Sequence, residues 1–162
     1  MVSTFAAVFA PDGKAWRGTE AELGDVEAVD DVADVMIDFA AEQGSDLCLL
    51  FVEADDEWFA IVRTEESGEP RIYLSDVRVA DDHPLARVLS EASGLSVPEQ
   101  PESAGARPEP APEGDADLLT DLGMTGDELR SLSTGGGVLP GDALAAVAER
   151  AGFGDLLDGM RL

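Results

Sequence analysis

Two neighbouring stretches decide the fold: Leu47-Cys48-Leu49-Leu50-Phe51-Val52 and Trp58-Phe59-Ala60-Ile61-Val62-Arg63, separated by Glu53-Ala54-Asp55-Asp56-Glu57. Each run is too short for a stable helix and is rich in aromatic, β-branched and leucine side chains, which reads as a strand. Leu47–Val52 shows no polar alternation, the pattern of a buried-type strand. The short polar connection makes the two runs antiparallel neighbours. Glu65-Glu66-Ser67-Gly68-Glu69-Pro70 turns the chain again into Arg71-Ile72-Tyr73-Leu74, so a three-stranded meander is expected.

Working outward, Thr4–Ala10 reads as a strand, Pro11-Asp12-Gly13-Lys14 as a turn, and Ala15–Thr19 as a returning strand. After Val29 the period changes. Val32, Val35, Met36 and Phe39 recur at helical spacing with Asp34, Asp38 and Glu42 around the other side. Asp30 or Asp31 is placed to cap this helix and Gly44 to end it. Pro84 in a first turn, with Leu85, Val88 and Leu89 on one stripe, predicts a second helix. The expected class is α+β, with an N-terminal antiparallel sheet of about five strands and helices on one face, spanning residues 1–93.

Residues 94–114 hold five prolines and almost no large apolar side chain, the composition of an extended, semi-rigid linker that neither helix nor sheet accommodates. Residues 115–162 read as a small helical module. Thr125-Gly126-Asp127-Glu128 matches a capping box ahead of Leu129 and Leu132, Gly135-Gly136-Gly137 breaks that helix, and Asp142 opens another that Gly152 ends. Some 48 residues are marginal alone, so the module must cover its apolar faces on the sheet, on itself or on a partner.

The chain of 162 residues has 35 Asp and Glu against 10 Lys and Arg, for a net charge of −25, and the acids are spread along its whole length. Direct binding to nucleic-acid phosphate or to an anionic membrane surface needs clustered cations and is excluded on that ground. A lone cysteine, Cys48, forbids an intrachain disulfide and sits in an apolar run, where a thiol behaves as a small hydrophobe. With no basic leader and no apolar stretch long enough to cross a bilayer, a cytoplasmic location is expected. One lysine, nine arginines and no asparagine fit a high-GC genome, so the acidity reads either as composition alone or as a face for a basic partner.

Motifs for chemistry are sparse. His83 is the sole histidine and lies in Asp81-Asp82-His83-Pro84, a solvated helix start rather than a nucleophile's base. Cys48 and His83 together are too few for a structural zinc site. Asp30-Asp31 with Asp34, Asp55-Asp56-Glu57 and Asp81-Asp82 are carboxylate clusters without calcium-loop spacing. Lys14 lacks the surroundings of a phosphate-binding loop, and Gly135–Gly137 lacks the strand that a dinucleotide fingerprint requires. Leu144–Phe153 looks like the first helix and turn of a helix-turn-helix. The segment after it carries Asp155 and Asp158 with only Arg161, so phosphate would repel it. No catalytic, cofactor or metal residue is assigned.

Thr4-Phe5-Ala6-Ala7-Val8, Asp56-Glu57-Trp58-Phe59-Ala60-Ile61-Val62-Arg63, Tyr73-Leu74-Ser75-Asp76 and Leu139-Pro140-Gly141-Asp142-Ala143-Leu144 together form a pattern that spans nearly the whole chain except the linker. It resembles the tRNA adenosine deaminase-associated proteins of actinobacteria, named for a gene beside that of the deaminase. The resemblance implies a partner, the deaminase, and carries no catalytic residues. The chain is not a zinc deaminase itself, since that chemistry needs H-x-E with P-C-x-x-C, whereas His83 is followed by Pro84-Leu85 and no C-x-x-C exists. The expectation is a non-enzymatic, protein-binding accessory protein whose partner is the deaminase or another basic protein. Its candidate interaction surface comprises Trp16, Asp56, Glu57, Trp58, Phe59, Tyr73 and Asp76. The alternative is a small carboxylate- or metal-dependent hydrolase using Asp55 and Glu57, or Asp81 and Asp82.

Overall fold

The computed structural model describes residues 4–12, 15–21, 28–54, 58–65, 70–75, 84–92, 113–114, 116–134 and 140–160. The strands are β1 (Thr4–Asp12), β2 (Ala15–Glu20), β3 (Cys48–Ala54), β4 (Trp58–Thr64), β5 (Arg71–Leu74) and β6 (Glu113–Gly114). The helices are α1 (Val29–Glu42), α2 (Pro84–Ala92), α3 (Gly126–Thr134), α4 (Pro140–Ala151) and α5 (Gly154–Met160), with a 3-10 helix at Ala116–Leu122. The sheet runs β2-β1-β3-β4-β5-β6 and every pairing is antiparallel. The β3-β4-β5 meander and the β1-β2 hairpin fall where the sequence places them. β1 closes on β3 through Thr4 opposite Ala54 and Phe9 opposite Leu49.

Because side chains alternate across a strand, both parities of β3 and β4 must be covered, and they are covered by different helices. On one face Cys48, Leu50, Val52, Trp58, Ala60 and Val62 pack under Val32, Met36 and Ala40 of α1 and Ala86 and Leu89 of α2. This is the arrangement expected of the N-terminal part, with one change. Val35, read as part of the buried stripe, is 36% exposed, and Ala33 and Ala40 complete the buried face instead. Gly44, at φ 69°, ends the α1 turn in the left-handed region that a glycine tolerates.

The opposite face carries Ala7, Phe9, Leu49, Phe51, Phe59, Ile61 and Tyr73. Here the C-terminal helices lie. Leu118, Leu129, Leu144, Val147, Phe153 and Leu157 share one continuous core with these strand residues. The helical module therefore docks on its own sheet, and the molecule is a sheet between two helical layers. The linker reading falls mostly on residues outside those described. Its last two residues, Glu113 and Gly114, depart from it: they pair with Leu74 and Tyr73 as β6. They follow the last proline of the stretch, so their backbone N–H groups are free to join an edge.

Phe153 fastens the second layer. Its ring lies 4.5 Å from Phe9, 5.4 Å from Phe51 and 4.7 Å from Trp16, centroid to centroid. It sits in the α4–α5 turn because Gly152, at φ 103°, closes α4: the Gly152 and Phe153 amides both donate to the Ala148 carbonyl, at 2.9 and 2.8 Å. Replacing Phe153 with alanine removes the centre of this aromatic group, and we expect a loss of about 3–5 kcal/mol, the usual range for a buried phenylalanine. Urea denaturation of the variant checks it. A loss below about 1 kcal/mol, in the range of a surface change, contradicts the central role of this ring.

Candidate interaction site

Arg63 stands out on β4, following Phe59 and Ile61 on the face that meets the C-terminal helices. Its side chain is only 6% exposed, yet it is charged and its hydrogen bonds are met. Nη1 donates to the Leu118 carbonyl at 2.6 Å and to Asp121 Oδ1 at 2.6 Å, Nη2 to Asp121 Oδ2 at 2.8 Å, and Nε to Glu65 Oε1 at 2.9 Å. The planar guanidinium fits this forked pattern where a lysine would not. Tyr73 makes a second polar tie, its hydroxyl 2.5 Å from Ser133 Oγ on α3. Burial pushes the Tyr73 phenol above its ordinary range, and the Ser133 hydrogen bond opposes that. At the far end of β4 the Phe59 amide donates to Ser75 Oγ at 2.8 Å, and the Ser75 amide returns a bond to the Phe59 carbonyl at 2.9 Å. These ties are structural: the Arg63 and Tyr73 bonds lock the C-terminal helical segments to the sheet, and the Ser75 bonds hold the end of β5 to β4.

The Arg63 hydrogen bond holds the Asp121 carboxyl below the usual carboxylate range. A folded-state value below the unfolded one, about 3.9, gives stability that is present above roughly pH 4 and lost as pH falls through the folded value. Asp121 is 57% exposed, so solvent screening limits its contribution to about 1 kcal/mol. Asp121→Asn should therefore be less stable than the parent at pH 7. That gap should close in urea titrations carried out below pH 4. A gap that is constant with pH removes the ion pair as its cause.

Cys48 is buried on the α1 side, and burial pushes its thiol up to about 12. It is a neutral core side chain at physiological pH, without the electropositive setting that makes a thiol nucleophilic. Alkylation by iodoacetamide at pH 8 should run at least about 100-fold slower in the folded protein than in urea. Equal rates would place Cys48 at the surface.

The structure divides the candidate surface read from sequence. Trp58, Phe59 and Tyr73 are 1%, 2% and 1% exposed and belong to the two cores, so none offers an anchor to a partner. An aromatic on a strand buried on both faces has no outward position to take. Trp16, on the outer strand β2, stays half-buried and reachable. Asp56, Glu57 and Asp76 lie outside the described residues, as do Asp55, Asp81, Asp82, His83 and Lys14. The residues flanking the first three, Ala54, Trp58 and Ser75, sit at one end of the sheet. Trp16 pairs with Pro11, seven residues along β1 from the Thr4–Ala54 pair, roughly 23 Å away. Among the described members, Trp16 therefore lies far along the sheet from Trp58. Asp30, Asp31 and Asp34 are exposed on α1, and among the described residues no group of three or more His, Cys, Asp or Glu could hold a metal ion.

What sequence reasoning missed is the surface that surrounds Trp16. A cleft of about 610 Å³ opens between β2, α4 and α5, with Trp16, Ala145 and Leu156 beside Glu149, Asp155 and Asp158. A second cleft, of about 630 Å³, lies on the other side of α4 between Leu132, Ala146 and Arg150. There Arg150 pairs with Glu128 at 2.9 Å and donates to the Gly123 carbonyl at 3.1 Å, and Glu149 borders this cleft as well as the first. The signal was present as Asp155 and Asp158 beside Leu156, but only the packing of α5 against β2 brings them to Trp16.

The described residues form an antiparallel sheet between two helical layers, with Arg63 and Tyr73 tied to the C-terminal helical segments and an acidic cleft at one edge. Residues 4–154 match the model of the Rv3753c-like tRNA adenosine deaminase-associated proteins, and the chain belongs to that family. It is similar to protein Rv3753c of Mycobacterium tuberculosis, strain H37Rv, with 35% identity over 107 residues. That match covers 65% of this chain and 59% of the relative's length. No solved structure matches it. The family is named as deaminase-associated and not as a deaminase. Among the described residues no helix is long and apolar enough to cross a membrane.

Proposed function

We propose that the chain is a non-enzymatic accessory protein that binds a tRNA adenosine deaminase or another basic protein. The observation that carries this reading is membership of a deaminase-associated family by a chain of net charge −25. An enzyme that acts on tRNA must present lysine and arginine to phosphate, and a strongly acidic protein complements such a surface. The single Cys48 and single His83 give no ligand set for deaminase zinc, which supports a role beside the enzyme rather than in its place. Trp16 is the aromatic anchor of the proposed surface, and Asp56, Glu57 and Asp76 add to the negative charge that attracts a basic partner.

Co-purification of the chain with the deaminase of the same organism at about 50 and about 150 mM salt tests this. The two salts bracket a clear change in the screening of exposed charge. A complex is expected at the lower salt and a weaker one at the higher. No complex at either removes the deaminase as partner.

A further inference from the structure

We infer that the cleft between β2, α4 and α5 receives a cationic side chain, arginine or lysine, from a basic segment of the partner. The inference rests on the accessory-protein reading for the existence of that partner, but its chemistry is written in the cleft. The apolar part is Trp16, Ala145 and Leu156, and the polar part is Glu149, Asp155 and Asp158. Among the described residues no lysine or arginine lines it, and none of the three carboxylates is ion-paired or hydrogen-bonded. Arg150, next in sequence to Glu149, is held by Glu128 and the Gly123 carbonyl in the second cleft, which Glu149 also borders, and does not line the first.

That combination selects one kind of occupant. An arginine or lysine has an apolar stem that lies along Leu156 and Ala145 and a charged head that meets the carboxylates. A guanidinium also stacks on an indole face, an attraction an anion or a neutral side chain lacks. Trp16 is positioned for this by its packing, 4.7 Å from Phe153, with its Nε1 over the turn at Gly152, where an added Cβ would lie 3.9 Å away. Glu149 adds a negative charge in the last turn of α4, where the helix dipole already favours a cation. Among the described residues the charged groups that line the cleft are thus all negative, set around an aromatic plate. The acids Asp34, Asp38 and Glu42 of α1 stand exposed on the opposite face of the sheet and offer a charge-matched comparison.

The probe is a fluorescein-labelled peptide of three arginines spaced by alanines. A citrulline version with the same shape and no charge is the control, and both are titrated into the full chain with parallel 15N spectra. The arginine peptide should bind at least about tenfold more tightly than the citrulline one, and the Trp16 indole N–H and the Phe153 and Asp155 amides should shift. Joint replacement Glu149→Gln, Asp155→Asn and Asp158→Asn should weaken binding by about tenfold, as three largely exposed ion pairs would. The joint change Asp34→Asn, Asp38→Asn and Glu42→Gln removes the same charge from the opposite face of the sheet and should change binding less than about twofold. Equal losses in the two triple variants would show attraction to bulk charge alone and overturn the inference. So would spectra in which Trp16 does not move. The peptide result stands apart from the deaminase: a missing deaminase complex overturns the accessory reading, whereas missing cleft shifts overturn only this one.

Discussion

A sheet whose central strands are apolar on both parities cannot stand with one face in water. β3 and β4 are such strands, with Leu50 and Val62 pointing to one side and Phe51 and Ile61 to the other. Everything else follows from covering both faces. α1 and α2 cover the first, and they are the helices nearest in sequence. The second has no helix of the first 93 residues described against it, and the C-terminal helices fill it. This makes the acidic chain one folded body in its described parts, even though a proline-rich stretch separates the two halves in sequence.

The attachment of the second layer combines two kinds of interaction at opposite ends. Phe153 contributes burial and ring packing among Phe9, Phe51 and Trp16. Arg63 contributes direction, since a forked guanidinium reaching both the Leu118 carbonyl and the Asp121 carboxylate permits only one placement of the 3-10 helix. A buried charge of this kind is weak evidence for added stability and stronger evidence for a specified geometry. In a chain so rich in carboxylates, its place is also a safeguard: one of the few arginines is held inside, where it fixes the docking of the helices.

The consequence for function is a surface made by docking. Trp16 is distant in sequence from Leu156 and Asp158, and the three share a cleft only because the α4–α5 turn is threaded against β2. The aromatic residues of the family-like segment Asp56–Arg63 hold the sheet together from inside, with Trp58 in one core and Phe59 in the other. Their distinctiveness as a sequence pattern therefore reports the needs of a doubly covered strand. The aromatic that stays reachable is Trp16 on the outer strand β2, which is the anchor in the proposed function.

Local sequence determined the elements because each rests on short-range physics. Short apolar runs made strands, polar turns made antiparallel neighbours, and the Thr125–Glu128 box, with the Glu128 amide 3.2 Å from Thr125 Oγ1, opened α3 as its spacing dictates. The net charge of −25 is likewise a property of composition. Tertiary structure alone decided which strand face the C-terminal helices take, that Val35 looks outward, that Arg63 lies buried, and that Trp16 and not Trp58 reaches solvent. Those outcomes depend on contacts between residues some 50 to 140 positions apart, such as Arg63 with Asp121 and Phe9 with Phe153. A periodic pattern reports which residues are apolar, but the partner that buries them is chosen by packing.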